Sequence, residues 1–512
     1  MISALAERVP KRAVLLTALL QAACLGSRIP HPCGARAAGP GAGATRPGSG
    51  RVAAAGARAA TTMAQPKPPG TVRLLLTGDI MLGRGVDQIL PHHVGPAIYE
   101  GWVKDARDYV ALAEEANGPL PSQRGPDYPW GFALSDIAAM APDAFVVNLE
   151  TAMTTHPEPW PQKGINYRSH PANVATLKAS GVDVAVLSNN HAVDWGFAGL
   201  EETLATLEGA GLRVAGAGRN ASEAARPAVV PLGRRTAAGG GSDGGGGTEA
   251  APAPHAARQA APAPAPGGEA AASEGAAAGA GAGAAAGAAA AGRVLVWGLG
   301  HSSSGVPDAW AAGASSPGVA LTDLSPADAA RIAAAVAAAK RPGDVAVVSL
   351  HWGSNWGFAV PREQRAFARA LVDGGVDVVH GHSSHHARGF EVYRGRLITY
   401  GCGDLISDYE GISNASVEAR YPPESHRDDV GLLWYADVGV GGGALAGLTL
   451  TPTRLRHLRL EPPEPGDWDY IQSTMDREAC RHGLEGGVVR QEGGPAGGRL
   501  RAVLPAAAAA AH

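Results

Sequence analysis

Five short apolar segments of this sequence each run directly into residues that can bind a metal ion. Runs of this length and composition predict buried β-strands. In an open α/β sheet the functional crevice lies beyond the carboxyl ends of the strands, where residues distant in sequence converge. The segments and the residues that follow them are 74–76 with Asp79, 144–147 with Asn148 and Glu150, 182–187 with Asn190 and His191, 345–350 with His351, and 376–379 with His380, His382 and His385. This register predicts one site at one edge of a sheet.

Helical patterns alternate with these strands, and the alternation predicts an α/β layered fold. The clearest helix is predicted over 325–340, where Ser325 supplies an N-cap and Asp328 an acid that complements the helix dipole. Apolar stripes at helical spacing predict two further helices, over 199–207 and 362–372. These stripes are expected to pack into the core.

Residues 237–292 consist almost entirely of Ala, Gly and Pro. Such a segment buries too little apolar surface to offset the entropy of ordering, so we predict a disordered insertion. Strands predicted over 228–232 and 293–299 flank it. Because the cost of loop closure grows only with the logarithm of loop length, these strands can form a hairpin with the insertion at its tip. The folded part is thus predicted as a single discontinuous domain, over 71–232 and 293–460.

Both ends of the chain differ in composition from the predicted domain. Residues 485–512 are Gly-rich and then Ala-rich, which predicts a low-complexity tail. Residues 1–62 predict a targeting or disordered segment, because no acid occurs between Glu7 and Asp79 while arginine recurs, as in organellar transit peptides. A short apolar run after the first basic pair also fits a secretory signal, and a true start at Met63 is a third reading. The run is too short to span a bilayer, so we expect no transmembrane helix in the mature chain.

The charge balance excludes one class of partner. The chain carries 43 Lys and Arg residues against 47 Asp and Glu residues, a net charge of -4, and no long basic run occurs in the predicted domain. Binding of nucleic acid needs a basic patch that neutralises phosphates, so we expect no nucleic-acid partner. None of the four cysteines belongs to a C-x-x-C zinc pattern.

The residue types at the strand ends indicate a metal centre. A lone Asp, Asn or His after a strand is more often a turn former, but five strands that end in this way are a different case. Carboxylates, an amide and several imidazoles form the mixed oxygen and nitrogen set that suits Mn, Zn, Fe or Mg. Two cations about 3.5–4 Å apart need a bridging carboxylate and about six ligands. The sequence supplies enough candidates for one or two divalent ions.

Five motifs occur in order along the chain and carry a family resemblance. They are TGDIMLGR at 77–84, VNLE at 147–150, LSNNHAVD at 187–194, HWG at 351–353 and GHSSH at 381–385. As a set they resemble the capsule-synthesis CapA family, which is associated with poly-γ-glutamate biosynthesis, and through it the calcineurin-like metallophosphoesterases. The resemblance covers 71–232 and 293–435. It implies a layered, metallophosphoesterase-like β-sandwich flanked by helices.

The resemblance also implies a set of metal ligands, one or two divalent ions and a role for each ligand. The implied ligands are Asp79, Glu150, Asn190, His351, His382 and His385. Asp79 would bind the first metal, and Glu150 would be the bridging or shared carboxylate. Asn190 would bind the second metal together with His351 and one of the paired histidines.

Further roles are implied for residues beside the metals. His191 would protonate the leaving group, with Asp194 as the acid that orients it. Arg84 and Arg168 would bind anionic oxygens, since a guanidinium fork suits phosphate or carboxylate. Either arginine could instead pair with a loop acid.

Two departures from the superfamily pattern bear on these roles. Where a metallophosphoesterase has Asp-x-His, this chain has an Asp-Ile-Met run ending at Met81. A thioether is a poor ligand for hard divalent ions, so the first metal lacks one expected ligand. The Gly-His-x-His pattern is one residue longer here, which leaves His380 and His386 as alternatives to His382 and His385.

The implied function is metal-dependent hydrolysis, of the phosphoesterase type, of an anionic small molecule or polymer, with a link to poly-γ-glutamate or cell-surface polymer synthesis. An alternative from another class is a metal-stabilised binding or assembly protein that holds an anionic polymer without turnover. Asp404 follows a further predicted strand over 397–400, and it either supports the site or caps a loop.

Overall fold

Two β-sheets pack face to face, and helices cover the outer surface of each sheet. The computed structural model describes residues 65–233, 292–412, 419–421 and 426–505. Successive side chains of a strand point to opposite faces. In the first strand, Leu74 and Leu76 therefore enter the core between the sheets, whereas Leu75 joins the core on the outer face. This alternation confirms the layered α/β fold.

The described residues form twenty strands, sixteen of them in these two sheets and four in two further sheets of two strands each. In chain order they are β1 (Thr71–Ile80), β2 (Ala144–Leu149), β3 (Ala152–Met153), β4 (Arg168–Ser169), β5 (Val184–Val186), β6 (Arg213–Ala215), β7 (Ala217–Gly218), β8 (Ala228–Pro231), β9 (Arg293–Gly300), β10 (Gly318–Val319), β11 (Val345–His351), β12 (Val378–His382), β13 (Ala387–Tyr393), β14 (Arg396–Cys402), β15 (Asp404–Ile406), β16 (Val430–Gly439), β17 (Leu445–Arg456), β18 (Arg459–Glu461), β19 (Val488–Glu492) and β20 (Gly498–Ala502). The first sheet has the order β19-β20-β17-β16-β1-β2-β5-β6, with β15 beside β1 and β18 beside β17. The second sheet has the order β13-β14-β12-β11-β9-β8.

Helices fill the two outer layers, except the last helix, which packs its apolar side chains into the core between the sheets. In chain order they are α1 (Arg84–Ile89), α2 (Arg107–Asn117), α3 (Ala133–Met140), α4 (Val174–Ser180), α5 (Gly196–Gly209), α6 (Ala221–Ala224), α7 (Pro326–Ala339), α8 (Arg362–Asp373) and α9 (Pro465–Arg481). The apolar stripe of α5 packs on the first sheet, and those of α7 and α8 pack on the second. The side chain of Ser325 accepts a hydrogen bond from the backbone N–H of Asp328 at 3.1 Å, which is the predicted N-cap of α7.

The strands that flank the insertion pair with each other. β8 and β9 are antiparallel, with Ala228 opposite Val296 and Pro231 opposite Arg293. The residues on both sides belong to one compact unit. The predicted insertion, except its last residue Gly292, lies outside the described residues, as does the predicted targeting segment. Within the described ranges, no helix is long and apolar enough to cross a lipid bilayer.

The chain after residue 485 differs from the predicted low-complexity tail. β19 and β20 pair with each other, and β20 joins the first sheet beside β17. Leu500 is buried in the core between the sheets. The sequence did not predict these two strands, because their few apolar residues lie between glycines and form no local pattern. The two strands are stabilised instead by pairing at the sheet edge that β17 provides.

The strand ends singled out in the sequence do meet, but they come from two sheets and not from one. β1, β2 and β5 are parallel neighbours in the first sheet. β11 and β12 are parallel neighbours in the second, with His351 opposite His382. Because the two sheets face each other, their carboxyl ends enclose a shared space.

Candidate metal centre

A first cluster of candidate ligands joins the two sheets. Asp79 at the end of β1, His351 at the end of β11 and His382 at the end of β12 each offer a ligand atom, and these atoms lie within 4.8 Å of one another. We call this cluster the histidine group. The Nδ1 atoms of His351 and His382 are 2.8 Å apart. All three side chains are buried.

A second cluster shares Asp79 with the first. It consists of Asp79, His385 and Asp404, whose ligand atoms also lie within 4.8 Å of one another; we call it the carboxylate group. The parallel pairing of β15 with β1 sets Asp404 beside Asp79. The Nδ1 atom of His385 lies 3.0 Å from a carboxylate oxygen of Asp404. Asp79, which the resemblance assigns to one metal, therefore belongs to both groups.

Glu150 and Asn190 lie directly beside the histidine group. Oε1 of Glu150 is 3.9 Å from Nε2 of His351, and Oδ1 of Asn190 is 2.8 Å from the same nitrogen. Asn148, at the end of β2, donates a hydrogen bond to Oδ1 of Asp79 at 2.8 Å. The structure thus brings together all six ligand candidates proposed from the sequence, around the shared carboxylate of Asp79.

The electrostatics of the carboxylates show a deficit of positive charge. Burial and, to a smaller extent, the nearby charge of Asp404 together raise the pKa of Asp79 to about 7. Burial and the charge of Asp79 also raise the pKa of Glu150 well above its ordinary value. Buried acids titrate in this way when no cation compensates them. A bound divalent cation would supply that compensation.

The histidines of the two groups differ in charge. Burial lowers the pKa of both His351 and His382 well below the usual value, so both rings are neutral and can act as ligands. Burial alone would lower the pKa of His385 too, but the carboxylate of Asp404 outweighs it and raises the pKa to about 9. His385 therefore carries a proton that metal binding has to displace.

The donor set fits a divalent metal. Neither Oδ2 of Asp79 nor Oε2 of Glu150, both buried, has a hydrogen-bond partner within the described part of the chain. Buried polar atoms without partners are costly, and they are rare in native structures. Oxygen and imidazole nitrogen donors together suit Mn, Zn, Fe or Mg.

His191 and Asp194 form the predicted dyad beside these groups. Nδ1 of His191 lies 2.6 Å from Oδ2 of Asp194, and the ring stacks on Tyr167 with 3.9 Å between centroids. Lys163 holds the same carboxylate, with its Nζ atom 2.7 Å from Oδ1. Burial lowers the pKa of His191 to about 4, Asp194 opposes this change and Lys163 adds to it. The imidazole is thus neutral at pH 7, with Nε2 directed towards Glu150 at 3.8 Å.

The two candidate anion-binding arginines have different surroundings. Arg84 is buried between Glu100 and Asp408 and bonds to both carboxylates, and its guanidinium lies 3.9 Å from the ring centroid of Tyr109. This is the pairing with loop acids that the sequence left open. Arg168 donates to the carbonyl oxygen of His156 at 2.8 Å. Its Nε atom is buried without a hydrogen-bond partner among the described residues, and its guanidinium lies 3.7 Å from the ring centroid of Trp195.

The sequence matches a known family over most of its length. The profile of the family described as bacterial capsule synthesis protein PGA_cap covers residues 73–409. The chain belongs to this family. It is 38% identical over 418 residues to a probable polyglutamine synthesis accessory protein of Mycobacterium tuberculosis (strain CDC 1551 / Oshkosh), a match that covers 81% of this chain and 93% of that relative.

Two further similarities are weaker than this PGA_cap match: one covers a short segment, and the other is to a solved structure of low sequence identity. The PGA biosynthesis protein CapA of Bacillus subtilis (strain 168) is 36% identical over 83 residues, which are 16% of this chain and 22% of that protein. Among solved structures, sulfate thiohydrolase SoxB of Thermus thermophilus in complex with glycerol aligns with 80% of this chain at 12% identity and a TM-score of 0.33. The chain covers less than two thirds of that structure, 61%.

The sequence of this PGA_cap chain left two roles open for Asp404, as a residue that supports the site or as the cap of a loop. The structure makes it a ligand candidate. It completes the carboxylate group, which has three candidate ligands although Met81 contributes none. Met81 is buried, and its sulfur accepts a hydrogen bond from the backbone N–H of Gly83. The signal for Asp404 was its place after a strand and directly after Gly403, but only the pairing of β15 with β1 shows which residue it faces.

The alternative histidines of the PGA_cap motif lie outside both groups. Nε2 of His380 is 2.8 Å from the carbonyl oxygen of Thr77. Nδ1 of His386 is 3.2 Å from the carbonyl oxygen of Ala387. The geometry therefore favours His382 and His385 as the ligands.

Proposed function

We propose that this chain is a metal-dependent hydrolase of the phosphoesterase type that acts on an anionic substrate. One observation carries the proposal: two groups of candidate ligands share Asp79, and buried oxygens of Asp79 and Glu150 have no hydrogen-bond partner in the described part of the chain. A divalent metal bound there would attract the anionic oxygens of the substrate and stabilise charge that develops on them. The histidine group and the carboxylate group would each hold one such ion, with Asp79 shared between them.

The protein's own residues would supply proton transfer and substrate binding. Asp194 and Lys163 hold His191 so that Nε2 faces the metal groups, where it can exchange a proton with the reacting oxygen. Arg168, whose buried Nε donor has no partner among the described residues, would bind an anionic group of the substrate that reaches this depth. Arg84, which already bonds to two acids, would then position the neighbouring loops.

The substrate is proposed from the family and its named relatives. The relatives are named for polyglutamine synthesis and PGA biosynthesis. We propose that this chain serves the synthesis of poly-γ-glutamate or a related cell-surface polymer. An anionic polymer or a phosphorylated small molecule is the corresponding substrate class.

Turnover by the full-length protein tests the proposal. The metal-free protein is reloaded with Mn²⁺, Zn²⁺, Fe²⁺ or Mg²⁺ and assayed with a chromogenic phosphodiester, a chromogenic phosphomonoester and poly-γ-glutamate. We expect metal-dependent hydrolysis that Asp79→Asn abolishes and that His191→Gln slows by about 10²- to 10⁴-fold. His93→Gln, a change at an exposed histidine, serves as the matched control.

A second candidate function is a metal-stabilised protein that binds an anionic polymer without turnover. The burial of the candidate ligands favours this binding function, because Asp79 and His351 are each only 1% exposed. Protein that binds metal and poly-γ-glutamate but hydrolyses none of the three substrates would support this candidate and contradict the enzyme.

A further inference from the structure

His380 is completely buried near the end of β12, yet it belongs to neither metal group. Its Nε2 atom lies 2.8 Å from the carbonyl oxygen of Thr77 in β1. A carbonyl oxygen can only accept a hydrogen bond, so Nε2 of His380 carries a proton and donates. This bond ties the second sheet to the first, two residues before Asp79.

Ser349 contacts the other nitrogen of the same ring. Oγ of Ser349 in β11 lies 3.1 Å from Nδ1 of His380. His380 is completely buried and the described residues place no carboxylate against its ring, so nothing there stabilises a charged imidazolium. The ring is therefore neutral, and because its one proton is on Nε2, Nδ1 has none. Ser349 therefore donates its hydroxyl proton to Nδ1 of His380.

The same hydroxyl reaches His382. Oγ of Ser349 lies 2.9 Å from Nε2 of His382. Because its single proton is directed at His380, the oxygen can only accept here, and Nε2 of His382 must donate. A neutral imidazole has one proton, so Nδ1 of His382 is left with a lone pair. That atom lies 2.8 Å from Nδ1 of His351, within the histidine group.

We propose that His380 and Ser349 are positioning residues that fix the tautomer of His382 and thereby present its Nδ1 atom to a metal. The proposal rests on the metal-binding part of the proposed function and does not require hydrolysis. Ligand histidines in general depend on a hydrogen bond at the second ring nitrogen, which sets the tautomer and the ring orientation. Here a chain of hydrogen bonds leads from His382 through Ser349 to His380 and ends at the backbone carbonyl oxygen of Thr77 in the other sheet.

The first test observes the tautomer directly. Long-range ¹H–¹⁵N correlation spectra of the metal-free, ¹⁵N-labelled full chain distinguish an imidazole protonated on Nε2 from one protonated on Nδ1. We expect His380 and His382 both to carry the proton on Nε2. A proton on Nδ1 of His382 in the wild-type chain would overturn the proposal.

The second test measures metal affinity. Ser349→Ala removes the hydroxyl and is expected to weaken Zn²⁺ or Mn²⁺ binding in a calorimetric titration by about 10- to 100-fold. Ser349→Thr keeps the hydroxyl, and His380→Gln keeps one acceptor and one donor, so both should retain most of the affinity. Equal affinity of Ser349→Ala and wild type would also overturn the proposal.

Thermal unfolding of each variant shows whether a lower metal affinity comes from loss of the fold or from loss of the tautomer. If Ser349→Ala and Ser349→Thr both fail to fold, the ¹H–¹⁵N spectrum of the wild-type chain alone decides whether the proposal holds. The proposed enzyme can fail independently of this inference. Wild-type protein that binds metal with the predicted tautomer but shows no turnover leaves the positioning role intact.

Discussion

At the scale of single residues, Asp79 and Glu150 are acids held in an environment that disfavours their charge. Their raised pKa values follow from burial and from mutual proximity, and Asp404 adds to the repulsion. The sequence predicted these residue types, because carboxylates and histidines at strand ends are visible without coordinates. It could not predict their protonation, which depends on distances between residues hundreds of positions apart.

Metal binding is therefore expected to release protons near neutral pH. In the metal-free protein the pKa of Asp79 is about 7, so about half of the molecules carry its proton at pH 7, and the pKa of His385 is about 9, so nearly all carry that proton. Both must deprotonate to bind a metal. Affinity should therefore rise as the pH increases from about 6 to about 9, and more than one proton should be released per chain at pH 7.

Titration calorimetry in buffers of different ionisation enthalpy measures this release. Buffer-independent heats, or an affinity that stays constant across the same pH range, would show that these two groups are not ligands. Zn²⁺ is a suitable probe because it accepts both oxygen and imidazole donors.

At the scale of secondary-structure elements, the contact between β1 and β15 decides the composition of the carboxylate group. A Cβ atom on Gly78 would lie 1.5 Å from the carbonyl oxygen of Gly403, so β1 approaches the residue before β15 at a distance that only glycine allows. The strands themselves were predictable from their apolar runs. Their lateral order was not, because β15 is three residues long and pairs with β1 across more than 300 positions.

Gly78→Ala is expected to separate these strands. The added methyl group meets backbone and not a flexible side chain, so the cost in unfolding free energy should be about 3 kcal/mol or more. Urea denaturation measures the cost, and metal analysis should show a lower metal content. Gly95→Ala is the control, since its Cβ meets nothing within 4 Å and its stability should be near wild type.

The C-terminal strands allow a comparable test of an element that the sequence concealed. Leu500→Ala should lower the unfolding free energy by about 2–5 kcal/mol, because the side chain is fully buried between the sheets. Val489→Ala, at a position 45% exposed in β19, should change it by less than about 0.5 kcal/mol. Equal effects of the two changes in urea denaturation would contradict the placement of β20.

At the scale of the whole molecule, the histidine group takes Asp79 from one sheet and His351 and His382 from the other. A metal held there would link the two halves of the sandwich. The layered architecture was predictable from the alternation of strands and helices. The division of the five strand ends between two sheets was not, since apolar runs alone do not show which strands are neighbours.

Removal of metal should therefore lower the stability of the whole domain. A ligand present at a hundred times its dissociation constant stabilises the folded state by about 2.7 kcal/mol. We expect a chelator to lower the melting temperature of the metal-loaded protein in scanning calorimetry. Asp79→Asn should not respond to the chelator, and an unchanged melting temperature in the wild type would argue against a metal between the sheets.

The hairpin of β8 and β9 allows insertions and deletions between these two strands during evolution. The backbone N–H of Leu232 donates to the carbonyl oxygen of Gly292 at 2.9 Å, so the polypeptide leaves and re-enters the sheet at one point. Each doubling of a flexible connection between two such anchors costs only about 0.6 kcal/mol. The gene can accordingly gain or lose codons at this position while the sheet that carries His351 and His382 keeps its register.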